Sequence, residues 1–320
     1  MTESQSTIAE LITLRDWLRY AVSRFNAAGL VYGHGTERAV DEAAFLILSA
    51  LDLGVDELDP WLDARLTTDE RKHVLTLIEA RISTRKPAPY LVGAAYIRGH
   101  RFKVDERAIV PRSFIAELIC DRMEDGEEHF PPLPSGQPAS RILDLCTGGG
   151  SLAILAALAF PDAMIDAVDM SPSALALAGE NVAAHGLADR ICLLEGDLFE
   201  PVGDVRYDLI ISNPPYVTDA AVSAFPPEYR AEPEMAHRGG LDGLDLVRRI
   251  LVGAAQHLEP DGQIVIEIGQ AASALVESFP DLPFVWLETA TSSGEVVALS
   301  AAALQANAPQ KRPRSRRPNP

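Results

Sequence analysis

The sequence predicts an α/β protein: an open, doubly wound, mainly parallel sheet preceded by a small helical domain. Three observations predict it. From Arg141 onward, short apolar runs alternate with helical stretches, the rhythm of a parallel sheet with helices on both faces. Those runs end in Asp, Gly or Asn, at the edge where such sheets bind ligands. From Ile8 to about Arg85, by contrast, apolar residues recur at spacings of three and four, as on amphipathic helices.

The helical part opens with Leu11, Leu14, Leu18 and Val22. Thr36-Glu37-Arg38 begins a second run through Ala44, Leu46 and Leu51, and Thr67-Thr68-Asp69-Glu70 reads as a cap ahead of Val74, Leu75 and Ile78. His34 and His73 read as surface residues, because nothing nearby completes a ligand set. Pro87-Ala88-Pro89-Tyr90-Leu91-Val92-Gly93 then breaks the helix, and Ala95-Tyr96-Ile97 and Arg101-Phe102-Lys103-Val104 flank Gly99-His100 as a β-hairpin. Ala108 to Arg112 is an extended piece entering a helix at Ile115–Met123. The polar, proline- and glycine-rich stretch 126–140 is a surface loop.

The βα rhythm follows. Ile142–Cys146 is the first strand, Thr147-Gly148-Gly149-Gly150 a glycine turn, and Ser151–Phe160 a helix of small residues. Met164–Asp169 is the second strand, and Ser171-Pro172 caps the next helix with proline in its first turn. Ile191–Leu194 is the third, ending at Glu195-Gly196-Asp197; Tyr207–Ile211 is the fourth, ending at Ser212-Asn213-Pro214-Pro215-Tyr216. A helix over Leu241–Leu258, a fifth strand at Gln263–Ile268 and an antiparallel pair at 284–286 and 296–299 complete the sheet. The chain therefore divides into a helical domain at 1–86, a hairpin linker at 87–112, a sheet domain at 113–300 and a disordered basic tail at 301–320.

Composition narrows the function. At 47% hydrophobic with a mean hydropathy near zero and no apolar run of transmembrane length, the chain reads as soluble. It begins without a secretory pattern, and Cys120, Cys146 and Cys192 are too few and scattered for a disulfide framework or zinc site. They read as reduced, buried or half-buried thiols of a cytoplasmic protein, Trp17, Trp61 and Trp286 as packing residues. The net charge is −18, although Lys311, Arg312, Arg314, Arg316 and Arg317 make the tail basic. So acidic a body repels a nucleic-acid backbone unless it carries a local basic patch, and it favours a basic partner, a class that includes ribosomal proteins; the alternative is that the acidity serves only solubility.

The chemistry concentrates at four strand ends. The glycine turn after Asp144 lets a ligand approach the backbone. Asp169 is placed to accept from two ribose hydroxyls, and Asp197 from an adenine amino group. Asn213-Pro214-Pro215-Tyr216 is a proline-stiffened corner with an amide oxygen, carbonyls free to accept and an aromatic face, suited to a planar NH2 group. The turn alone is weak: Gly148, Gly150 and Ala153 fit the dinucleotide fingerprint in its relaxed form, and only the Asn213 corner disfavours a nicotinamide dehydrogenase. No phosphate-cradling ATPase motif is present. Glu267 reads as a structural hydrogen-bonder, and His237 and Arg238 as either surface residues or part of a substrate mouth.

Asp144-Leu145-Cys146-Thr147-Gly148-Gly149-Gly150, Asp169-Met170-Ser171, Gly196-Asp197 and Asn213-Pro214-Pro215-Tyr216 together resemble the class I S-adenosylmethionine-dependent methyltransferases. More narrowly, they resemble the protein N(5)-glutamine methyltransferases, from about Leu11 to about Leu299. Pro87, Tyr90, Leu91, Gly93, Phe102 and Val104 match that family's hairpin pattern. Val104–Leu118, Glu228–Glu234 and Gly239–Asp245 resemble its PrmB branch, which acts on a ribosomal protein, rather than its release-factor branch. Gly149 stands where the family commonly has serine, and Phe114 where the branch usually has proline.

The resemblance implies a class I methyltransferase fold and S-adenosylmethionine as cofactor. It implies a cofactor site at Asp144, Cys146, Thr147, Gly148, Gly150, Asp169, Asp197 and Asn213, catalysis at Asn213, Pro214, Pro215 and Tyr216, and substrate recognition by the helical domain. The expected substrate is a glutamine in the third protein of the large ribosomal subunit, with release factors as the alternative and no metal, membrane or direct nucleic-acid requirement. An adenine-N6 DNA methyltransferase shares the Asn-Pro-Pro-Tyr corner but needs a basic duplex-binding surface. A non-catalytic ribosome-assembly module would not need the cofactor residues.

Overall fold

A computed structural model describes residues 3–125, 131, 133 and 136–307. Five helices, α1 (Glu3–Glu10), α2 (Leu14–Ala27), α3 (Ala39–Ala50), α4 (Thr68–Thr84) and α5 (Ala88–Val92), enclose one apolar centre. The buried stripe of α2 is Leu14, Trp17, Ala21 and Phe25, turned from the expected Leu11, Leu14, Leu18 and Val22. Turning inward buries the two largest apolar side chains of the helix, and Leu18 and Val22 sit at the margin. The cap of α4 forms where expected: the Thr67 hydroxyl accepts from the Glu70 N–H, and the Glu70 carboxylate accepts from the Thr67 N–H at 2.7 Å.

Strands β1 (Ala94–Ile97) and β2 (His100–Lys103) form the hairpin, and extended chain leads to α6 (Phe114–Asp125). The remaining strands are β3 (Arg141–Leu145), β4 (Met164–Asp169), β5 (Ile191–Glu195), β6 (Tyr207–Ser212), β7 (Leu258–Glu267), β8 (Val285–Glu288) and β9 (Ser293–Ser300). They make one seven-stranded sheet in the order β5-β4-β3-β6-β7-β9-β8. The pairs from β5 to β7 are parallel, and β9 runs antiparallel to both its neighbours. Helices α7 (Ser151–Ala159), α8 (Pro172–Ala184), α9 (Asp219–Ser223), α10 (Asp245–His257), α11 (Ala272–Ser278) and α12 (Ala301–Ala306) complete the order. Strand side chains alternate between layers: Ile142 and Leu209 pack with α6 and α7, Leu143 and Ile210 with α10. The chain winds outward from β3 to β5 and then returns to β6, so a crevice opens between the carboxyl ends of β3 and β6.

Several expectations need correction. Helix α10 starts at Asp245, not Leu241, because Gly240 and Gly243 hold φ of +87° and +82° in the loop before it. Strand β7 starts at Leu258, ahead of the expected Gln263. The expected disordered tail begins with α12, whose Ala301 and Leu304 are buried, while 308–320 and most of the 126–140 loop lie outside the described residues. Trp61 and Trp286 stay 38% and 37% exposed, so among the tryptophans only Trp17 is a core residue. Cys192 is exposed on the edge strand β5. His34 is fully buried, covered by a distant segment that no local pattern reveals. No helix among the described residues is long and apolar enough to cross a membrane.

Candidate active site

The crevice is held together at its base: Ser212 Oγ, at the end of β6, donates to the Leu145 carbonyl at the end of β3 at 2.8 Å. Beyond β3 the chain turns sharply, with Cys146 itself at φ +61°. Asp144 Oδ2 accepts from the Thr147 hydroxyl at 2.5 Å and the Ala153 N–H at 3.0 Å, tying the turn to α7. Gly148 sits at φ +55°, and a Cβ there would meet nothing within 4 Å. That open space beside the backbone is what a close-lying ligand requires. A Cβ on Gly149 would make ordinary contacts, 3.6 Å from Leu177 Cδ2, so the position has room for one.

Asp169 accepts from the Gly148 N–H at 2.8 Å and the Ser171 N–H at 2.9 Å, one on each carboxylate oxygen. Each oxygen keeps a further lone pair, on a side chain that lines the cleft. Burial pushes the Asp169 carboxyl up, against the pull of these N–H groups. Asp197 is paired with Arg249 at 2.7 Å, which satisfies one oxygen of a carboxylate able to accept more.

Asp144 is fully buried, with Oδ1 unpartnered; burial pushes its carboxyl up to about 7, although Thr147 and Ala153 oppose this. A carboxyl raised on folding stabilises the fold below its ordinary pKa, and that contribution is lost as pH rises through about 7. Without added ligand, the stability of the wild-type chain relative to Asp144→Asn should therefore decline from about pH 4 to about pH 8. The slope should be at most about 1.4 kcal/mol per pH unit. Melting curves that stay parallel across this range would show that Asp144 does not titrate in it.

At the end of β6, the Asn213 side chain donates through Nδ2 to the Arg112 carbonyl at 3.1 Å. A carbonyl can only accept, so this bond fixes the amide with Nδ2 inward and leaves Oδ1 as a free acceptor. No described residue donates to the Pro214 carbonyl. The corner is braced from behind by Glu267. Its carboxylate accepts from the Tyr216 hydroxyl at 2.9 Å, the Ser113 hydroxyl at 2.6 Å and the Phe114 N–H at 2.9 Å. Burial pushes the Glu267 carboxyl up, and these three donors counter it. Burial, then the neighbouring carboxylate, pushes the Tyr216 phenol up, so it stays a proton donor.

Glu232 is the second anchor. Its carboxylate accepts from the Val110 N–H at 2.9 Å and takes the Arg112 guanidinium as a fork, 2.8 Å to each oxygen. His237 Nε2 lies 3.1 Å from it and His34 Nε2 3.5 Å. Burial opposes its charge, but Arg112 and the two imidazoles outweigh burial and hold the carboxyl well below the usual range. Glu228, one turn earlier, accepts from the Val31 N–H and from Arg85.

Two cavities meet at the crevice. One, about 760 Å³ including its mouth, is lined by Cys146, Gly148, Asp169, Asp197, Asn213 and Pro215, among others. The other, about 520 Å³, lies between the hairpin and the glycine turn and is lined by Lys103, Arg112, Cys146, Thr147, Gly148 and Asn213, among others. Of the expected residues, Asp144, Gly150, Pro214 and Tyr216 line neither cavity. The Tyr216 hydroxyl is on Glu267, and its ring lies against Gly269, where a Cβ would come within 2.4 Å of it. Arg238, paired with Asp219 and Glu234, is at the surface, whereas His237 is buried. The segment Glu228–Glu234 enters the sequence reading only through its resemblance; the roles of its carboxylates are not legible there, because Val31, Val110 and Arg112 lie more than 100 residues away along the chain.

Residues 128–225 match the family model described as the methyltransferase small domain. The chain is 52% identical to a ribosomal protein uL3 glutamine methyltransferase of Bradyrhizobium diazoefficiens, over 92% of this chain and 92% of that protein. It is also 52% identical to the protein of the same description from Bordetella pertussis, over 91% of this chain and 96% of that one. Among solved structures, a ribosomal protein L11 methylase from Lactobacillus delbrueckii subsp. bulgaricus matches with 20% identity and a TM-score of 0.37, covering 57% of this chain and 75% of that one.

Proposed function

Because the chain belongs to the family of ribosomal protein uL3 glutamine methyltransferases, we propose that it methylates the side-chain nitrogen of a glutamine in uL3, with S-adenosylmethionine as methyl donor. The observation that supports this reading is the Asn213 side chain: its Nδ2 is taken by the Arg112 carbonyl, which leaves Oδ1 to accept, on a residue that lines the cleft beside the open glycine turn.

The residues present fit the donor. Asp169 would hold the ribose hydroxyls and Asp197 the adenine amino group. Cys146, Thr147 and Gly148 would line the methionine end, with Asp144 and Gly150 holding the shape of the turn. When bound, the donor supplies a methyl carbon on a sulfonium sulfur that leaves as a neutral thioether. The work of Asn213 and Pro214 is on the other reactant. Asn213 Oδ1 and the Pro214 carbonyl accept the two N–H bonds of the substrate carboxamide and hold its nitrogen in line. An amide nitrogen is a poor nucleophile, since its lone pair is delocalised into the carbonyl. Acceptors placed where positive charge develops stabilise the transition state more than the ground state. Pro214 and Pro215 keep the corner from reorganising, and Tyr216 anchors it through Glu267. The proton is lost to water after the N–C bond forms, so no general base is required in the corner.

A net charge of −18 favours a basic substrate such as a ribosomal protein, met in the cytoplasm. The test offers labelled S-adenosylmethionine with uL3, with release factors and with nucleic acid in separate reactions, followed by mapping of the labelled residue. Label on a glutamine side chain of uL3 is expected. Label confined to a release factor or to nucleic acid would overturn the assignment.

A further inference from the structure

The turn that follows the Asn213 corner links three parts of the molecule. It is a 3-10 turn at Pro227–Ala231, with Glu232 immediately after it. Glu228 and Glu232 are both buried carboxylates on this short stretch, and they point to different partners. Glu228 holds the helical part, through the Val31 N–H at 3.1 Å and Arg85 at 3.0 Å. Glu232 holds the Val110–Arg112 segment by three hydrogen bonds and touches His34 of the helical part and His237. His237 in turn accepts through its carbonyl from the Val217 N–H, directly after the corner. Tyr229 fills the space between, its ring 4.3 Å from that of His34 and beneath the Arg112 guanidinium.

Arg112 is the link to the reaction. Its side chain is gripped by Glu232 while its own carbonyl orients the Asn213 amide. A two-point grip on the guanidinium, with a third bond to Val110 two residues earlier, fixes that carbonyl in direction as well as in place. Without the grip the Arg112 carbonyl can swing, and the Asn213 amide loses the bond that keeps Oδ1 toward the substrate.

We propose that Glu232 is a positioning residue for methyl transfer, acting through Arg112 on Asn213, and that its turn makes the seating of the helical part a condition for an aligned catalytic amide. The inference rests on the amide-clamp reading of Asn213. It assigns Glu232 an effect on turnover rather than on donor binding, because Glu232 itself lines neither the cleft at Asp169 nor the cavity beside the hairpin.

The test is Glu232→Gln, assayed with the full chain for kcat and KM with uL3, for S-adenosylmethionine affinity by calorimetry, and for melting temperature. A misaligned amide should lower kcat on the order of 10²-fold while donor affinity stays within a few-fold. Glu232→Asp, which keeps the charge, should recover part of the loss. If Glu232→Gln does not fold, Arg112→Lys carries the same test, since it keeps charge and carbonyl but gives up the fork. Wild-type kcat in the variant that folds, or a donor affinity that falls in step with kcat, would overturn the inference. Asn213→Ala separates the two levels. If that variant is inactive while Glu232→Gln turns over normally, only the role of Glu232 is wrong. If Asn213→Ala is active, the clamp reading fails and this inference with it.

Discussion

Asn213→Ala should lower the methyl-transfer rate about 10²- to 10³-fold while leaving S-adenosylmethionine affinity within a few-fold of wild type. The magnitude follows from what is removed. The substitution deletes the Oδ1 acceptor and the Nδ2 bond to the Arg112 carbonyl, and it leaves the Pro214 carbonyl as half of a clamp. On the proposed reading the donor is held by other residues, among them Asp169 and the Gly148 backbone, which line the cleft. The loss should therefore fall on kcat, with the two affinities nearly unchanged, the signature of an interaction made mainly in the transition state. Single-turnover assays with prebound donor and uL3 measure this directly. A variant that transfers methyl at the wild-type single-turnover rate, or that fails only because it no longer binds donor, would refute the clamp.

The strand ends were readable from the sequence because each is a local signal. An apolar strand run must stop where polar or glycine residues begin, and the order of such stops places Asp144, Asp169, Asp197 and Asn213 on one edge of the sheet. The cap at Thr67 and the hairpin at Gly99 were readable for the same reason. What held the site in shape was not readable. His34 lies in a Gly-rich stretch that gives no sign of burial, and its burial comes from Tyr229 and Glu232, nearly 200 residues onward. Asn213 shows that it is polar and near prolines, but the choice of which amide atom faces the cleft is made by the Arg112 carbonyl, 101 residues earlier. Tyr216 offered an aromatic face on paper; only the fold reveals that Glu267 and Gly269 use it as an anchor.

The segment Gly239-Gly240-Leu241-Asp242-Gly243 gives the second large prediction, because its packing explains its composition. The Gly239 N–H donates to the Val217 carbonyl at 2.8 Å, and the loop closes directly onto the backbone of the corner. At Gly243 the backbone is left-handed, at φ +82°, and an added Cβ would stand 2.3 Å from the Tyr216 carbonyl oxygen. That neighbour is backbone, so no side-chain rotation relieves the overlap, and either the loop or the corner must move. Gly243→Ala should cost on the order of 2–4 kcal/mol of stability, from overpacking and the left-handed conformation together. Because the displaced atoms belong to Tyr216, transfer activity should also fall at temperatures where the variant is still folded. Gly149→Ala is the matched control. It too lies beside the cleft, but its Cβ would find only ordinary contacts, so melting temperature and activity should stay near wild type. If the two alanine variants melt together, the loop is not wedged against the corner, and its glycines need another explanation. If Gly243→Ala melts early yet retains full turnover when folded, the corner tolerates displacement, and the stiffness assigned to Pro214 and Pro215 is not what the reaction depends on.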